Sequence, residues 1–140
     1  MQNQVLFFIL LSTMCLFCAG CTESLPEILP DNPPDNLTPE PTVTMPPGQS
    51  VTVQINEKDP IKATITVIFA GGEGQIATRD VLVRLTRADG EVIIEHLRAE
   101  MQDEVELQGT KESDRIEVYI TLNTGKTYKI IDQLVPYRTR

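Results

Sequence analysis

Tryptophan is absent from this 140-residue chain, histidine occurs once, aromatic residues make up only 5%, and no cysteine lies beyond Cys21. Each absence excludes something. Without cysteine after Cys21, most of the chain can form no intramolecular disulfide and has neither a thiol nucleophile nor a thiolate metal ligand. Its fold must be held by packing. A single histidine, His96, rules out a histidine cluster of the kind zinc sites use, and it sits in a period-two apolar pattern where a hydrogen-bonded structural role outweighs a general base. Basic side chains are outnumbered, 12 Lys and Arg against 20 Asp and Glu, for a formal net charge of −8. Nucleic acid is therefore not an expected partner, because phosphate binding needs a concentrated basic face.

What is present is unevenly distributed. Residues 1–20 carry no charged side chain, and an apolar run from Val5 to Leu11 continues, after a short polar break, to Gly20. Sixteen residues from Val5 to Gly20 fall short of the roughly 20 that a permanent helical span needs. The run ends in small residues and has no charged stop-transfer flank, which is the pattern of a cleaved secretory h-region. An uncleaved apolar anchor is the alternative.

At its end stands Cys18-Ala19-Gly20-Cys21, which resembles the lipobox of prokaryotic lipoproteins: two small residues before the lipid-bearing cysteine. Cys18 occupies the position where that pattern usually has leucine. The resemblance implies cleavage after residue 20, a diacylglyceryl thioether on Cys21, and an extracytoplasmic chain held to the membrane by lipid. Two acyl chains suffice for stable anchoring where one is marginal, since each buried methylene contributes about 0.8 kcal/mol. The spacing of Cys15, Cys18 and Cys21 also mimics a metal motif, but an apolar run with no histidine or fourth ligand does not hold a metal.

Composition changes again over residues 21–50. Eight of the ten prolines fall here, with Glu23, Glu27, Asp31, Asp35 and Glu40 and no Lys or Arg. Proline fixes φ and removes amide donors, and unopposed carboxylates repel, so this stretch is expected to be an extended, disordered stalk. Fully extended it would reach at most about 90 Å. Asn36-Leu37-Thr38 is an N-glycosylation sequon on that stalk, making Asn36 a modification candidate in an organism that glycosylates asparagine.

Residues 51–140 show period-two alternation in short runs separated by turn residues, the pattern of half-buried antiparallel strands. Strands are expected at about 50–56, 62–70, 77–87, 91–97, 103–109, 115–123 and 126–134. A helical turn competes near 99–102, where Ala99, Glu100, Met101 and Gln102 are good helix formers. Asp89-Gly90 suits a two-residue type I′ hairpin placing Leu85 opposite Ile94 and Val83 opposite His96. At Asn123-Thr124-Gly125 a three-residue loop with Gly125 left-handed would pair Ile120 with Tyr128 and Val118 with Ile130, leaving Ile116, Val118, Ile120 and Leu122 as one core-facing row. Seven strands in about 90 residues imply an all-β fold, a small antiparallel immunoglobulin-like or fibronectin-like β-sandwich. The order of lipobox, acidic proline-rich stalk and β-sandwich is similar to that of uncharacterised archaeal surface lipoproteins, particularly of methanogens.

No catalytic constellation or cofactor motif stands out. Gly71-Gly72-Glu73-Gly74 lacks the Lys-Ser/Thr of a phosphate loop and reads as a flexible connection. Arg79, Arg84, Arg87 and Arg98 read as solvated outward positions. Glu57 with Asp59, Asp103 with Glu104, and Glu112 with Asp114 are candidate calcium ligands, though none has the Asp-x-Asp-x-Asp-Gly spacing. A domain this small, burying about 60–65% of its unfolded surface, has little room for a deep enclosed site. The expectation is a non-enzymatic surface lipoprotein without cofactor, a structural or protein-binding module whose partners are the membrane, through Cys21, and other surface proteins. An envelope lipoprotein that binds a solute or calcium is the alternative.

Overall fold

A computed structural model describes residues 37–139, all within one compact unit spanning Asn32–Arg140. Seven strands follow in order: β1 (Thr52–Ile55), β2 (Thr64–Gly71), β3 (Thr78–Thr86), β4 (Val92–Leu97), β5 (Glu104–Gln108), β6 (Asp114–Leu122) and β7 (Thr127–Val135). They form two antiparallel sheets, β1-β2-β5 and β4-β3-β6-β7. Among the described residues the one helical element is a 3₁₀ turn at Gln75–Ala77, and no helix is long and apolar enough to cross a membrane. The described residues thus form an all-β sandwich. β4 joins β3 and not β5; a constant-type immunoglobulin domain would place the fourth strand in the other sheet.

Alternation builds the core. Ile65, Val67 and Phe69 of β2 face Val81, Val83 and Leu85 of β3 and the row Ile116, Val118, Ile120 and Leu122 of β6, all essentially inaccessible to water. Branched side chains suit this role, since their stiff rotamers pack well on a pleated surface. Tyr128 packs against the edge of the same cluster.

The two hairpins turned out differently. At the second, Gly125 has φ 82° and Ile120 lies opposite Tyr128, as expected; one extra residue at Ile130 then shifts the ladder, so that Val118 faces Ile131 and not Ile130. At the first, the expected register is wrong by one residue: Leu85 lies opposite Ile93, Val83 opposite Glu95 and Leu82 opposite His96. A type I′ turn needs positive φ at both central residues, yet Ala63 and Gln102 are the only described non-glycine residues with positive φ. The loop is instead three residues, Ala88-Asp89-Gly90, closed by the Arg87 amide on the Glu91 carbonyl with Gly90 at φ 89°. Asp114 holds this turn by accepting the Ala88 amide at 2.9 Å. The slip turns Ile93 and Leu97 inward and leaves Ile94 and His96 on the outer face.

The helical turn near 99–102 is not formed. Gln102 takes φ 69°, and the chain reverses through the Asp103 amide bonding Glu100 while the Gln102 amide bonds Phe69. Gly71-Gly72-Glu73-Gly74 is also more constrained than a flexible connection, because the Gly74 amide is fixed on the Ser50 carbonyl.

The folded unit begins before residue 51. The Val43 amide donates to the Lys129 carbonyl at 2.8 Å, and Met45 is buried in the core cluster. Pro46-Pro47-Gly48-Gln49 then turns the chain into β1, with the Gln49 amide on the Pro46 carbonyl and Gly48 at φ 74°. Residues 40–45 are therefore a strap along β7, and they do not belong to a free stalk.

Replacing Gly125 by Val is expected to destabilise the domain by about 1–3 kcal/mol in urea unfolding, because a β-branched residue resists positive φ. A Cβ there meets no atom within 4 Å, so the cost is one of backbone conformation, and Gly125→Asn should recover most of it. An unchanged midpoint for Gly125→Val would contradict the three-residue loop.

Candidate functional site

Cys21 and Asn36 lie outside the described residues. The candidates that remain are the acidic pairs, His96, and whatever the fold brings together that sequence spacing hides.

Asp59, Asp103 and Asp114 serve the fold. Asp59 accepts the amides of Ile61 and Lys62 at 2.7 and 2.6 Å, and these bonds hold its carboxyl below the usual range. Asp103 is bonded by the Arg98 side chain and amide, with its carboxyl lowered for that reason. Glu57 faces Arg138 at the surface. Asp114 is inaccessible, as is Lys58 Nζ, 2.6 Å from it. Lys58 uses its three donors on Asp114 and on the Thr110 and Glu112 carbonyls. Asp114 in turn accepts the Thr110 amide and hydroxyl and the Ala88 amide. Burial alone would push the Asp114 carboxyl up; the bonds from Lys58, Thr110 and Ala88 outweigh it and leave it lowered. A side chain at Gly109 would collide with Asp114 Oδ2 and the Ala63 carbonyl. This knot joins the β1–β2, β3–β4 and β5–β6 connections at one end of the sandwich and takes up both Asp114 oxygens.

A second charged group, absent from the sequence reading, covers the outer face of the larger sheet. Arg84, Glu117 and Asp132 lie directly opposite one another across β3, β6 and β7, and Glu40 of the strap approaches from beyond. Like charges face to face, as Glu117 and Asp132 are, repel. Arg115 and Lys129 resolve this. Arg115 reaches Asp132 at 2.6 Å and Glu117 at 3.3 Å, and Lys129 lies 2.8 Å from both Asp132 and Glu40. Tyr119 donates to Glu117 at 2.9 Å; burial and that carboxylate push its hydroxyl up. Burial would raise Asp132, but Arg115, Lys129 and the Glu40 amide bring it down to about 2. The carboxylate oxygens of Glu40, Glu117 and Asp132 gather within 4.8 Å, as metal ligands would. Two cations already thread them, so the residues present do not fit a metal ion. The signal in sequence was faint: Arg115, Glu117, Lys129 and Asp132 interrupt apolar strands, which only strand register turns into a cluster.

The arginines expected at solvated outward positions are mostly paired. Arg84 stands 3.8 Å from Glu117, Arg87 bonds Asp89 and Glu91, and Arg98 bonds Asp103. His96 is exposed, its Nδ1 2.8 Å from Asp80 Oδ1. An open depression of about 740 Å³ lies between the β1–β2 connection and the C-terminal tail, lined by Lys62, Thr64, Thr66, Glu106 and Arg138 among others. Its size falls in the ligand-pocket range, but ligand pockets are mostly apolar and enclosed. No protein-family model, curated protein or solved structure matches the chain.

Acid should loosen the outer-face lattice. A carboxyl lowered to about 2 in the fold and near 3.9 when unfolded makes the unfolded chain bind more protons between those values. Its stabilisation is full above about pH 4 and is lost as pH falls towards about 2. Urea midpoints should decline over that window, and Asp132→Asn should lower stability at neutral pH while flattening the decline. An equally steep decline in the variant would remove Asp132 from the explanation.

Proposed function

We propose that the chain is a membrane-anchored surface lipoprotein whose sandwich acts as a non-catalytic structural or protein-binding module. Cys18-Ala19-Gly20-Cys21 carries this reading: it supplies the cleavage site and the anchor, and the acidic proline-rich segment after it separates the fold from the lipid surface. The strap adds support. Its backbone bond to Lys129 and the Glu40 bond to Asp132 fix the direction of the chain along β7. The chain thereby joins the sandwich at the end carrying the Lys58–Asp114 knot, and the C-terminal tail returns there, with Tyr137 bonded to the Pro60 carbonyl. A tether on one end leaves the sheet surfaces away from the strap open to partners. Because residues 40–45 belong to the fold, the chain between Cys21 and the strap allows a reach of only about 45–60 Å. Envelope solute binding is the second reading, and the open depression near Thr64 and Arg138 is the observation that favours it.

Intact-mass analysis of membranes from cells making the native chain tests the anchor. A species beginning at Cys21 with added lipid mass, lost in Cys21→Ala, is expected. A chain of full precursor mass would overturn the lipoprotein reading.

A further inference from the structure

Among the described residues four strands lie at sheet edges: β1 and β5 in the smaller sheet, β4 and β7 in the larger. Edges are hazards because their unpaired amides and carbonyls template further strands, and proteins blunt them with covers, charges, bulges or shortness. β7 is covered by the strap through Val43. β1 has four residues and a register irregularity. β5 has five, with exposed Glu104 and Glu106. β4, Val92–Leu97, differs: Ile94 is 53% exposed, and Val92, Ile94 and His96 form its outer-face row.

The Arg87–Glu91 bond fixes which β4 residues bond β3. By antiparallel alternation these are 91, 93, 95 and 97, so Val92, Ile94 and His96 direct their backbone groups to the open side. From this edge we infer that β4 pairs antiparallel with β4 of a second copy, centred on Ile94, joining two four-stranded sheets into one of eight. The inference deepens the reading of the domain as a protein-binding module and rests on it.

Charge and the cover of Ile94 together favour a second copy in one register. β4 follows Asp89 and Glu91, which Arg87 already pairs, and leads into Arg98, which pairs Asp103 and stays 72% exposed. A two-fold antiparallel pair brings each acidic end to the other copy's Arg98. Hydrogen-bond parity allows registers that differ by steps of two. Centring on Ile93 would oppose Glu91 to Glu95 twice, and centring on Glu95 would oppose it to itself; both are disfavoured. Centring on Ile94 opposes Ile94 to Ile94 and Val92 to His96, covers the exposed isoleucine, and sets no two acids directly opposite. The two chain starts then lie at opposite ends of the joined sheet. Each has enough linker to reach a shared membrane with the strands lying along it.

Ile94→Cys in the full chain tests this. Cα atoms of a hydrogen-bonded antiparallel pair lie about 5.5 Å apart, within disulfide range. Cysteines at 92 would be separated by about 13 Å in the same register. Mild oxidation of membranes, read on a non-reducing gel against the parent chain, is expected to give roughly tenfold more disulfide dimer for Ile94→Cys than for Val92→Cys. Adding Glu91→Arg, which sets like charges at both ends, should reduce the Ile94→Cys dimer several-fold. Equal crosslinking at 92 and 94, or none at 94, would overturn the inference. The anchor is read separately by mass at Cys21, so either can fail without the other.

Discussion

Lys58 and Asp114 sit where water does not reach, 2.6 Å apart, and the end of the sandwich is organised around them. The chain has no disulfide to join its loops, so loop closure there must come from non-covalent contacts. A buried ion pair is weak evidence of stability by itself, because desolvation offsets much of the attraction. What distinguishes this pair is that its hydrogen bonds are complete: three from the ammonium and, with Thr110 and Ala88, four onto the carboxylate. Removing either partner would strand the other, along with the carbonyls and amides that depend on it. The knot also sets the β3–β4 turn, since Asp114 holds the Ala88 amide, and through that turn the register of β4.

That register links the interior to the outer surface. One residue of slip decides whether Ile94 or Ile93 enters the core. The outcome puts Ile93 and Leu97 inside and leaves the Ile94 row on a free edge. On the opposite edge of the same sheet, Glu40, Lys129, Arg115 and Asp132 fasten the strap over β7. Among the described residues, the larger sheet is thus covered along its β7 edge and uncovered along its β4 edge.

Most of the fold was legible in the sequence because period-two burial reports directly on strands: all seven occur within a few residues of their expected bounds, and the row Ile116, Val118, Ile120 and Leu122 is core. The Gly125 loop was legible because only one loop length buried Tyr128 and Ile120 together. The Asp89-Gly90 turn was misread because the dipeptide fits both loop lengths, and the choice rests on Asp114, 25 residues after Asp89 and bonded to neighbouring Ala88. Strap and charge lattice were illegible for a similar reason. Proline content marked residues 40–47 as stalk, while Met45 and Val43 gave no local sign of docking. The acids and bases of β6 and β7 become a site only when strand pairing sets them side by side.

The coupling free energy between Lys58 and Asp114 tests the central claim most directly. Urea unfolding of Lys58→Met, Asp114→Asn and the double variant is expected to show each single change costing about 3–5 kcal/mol and the double costing little more than either, as for a buried pair whose survivor is stranded. Small, additive losses of under about 1 kcal/mol each, the behaviour of a solvated surface pair, would contradict the account.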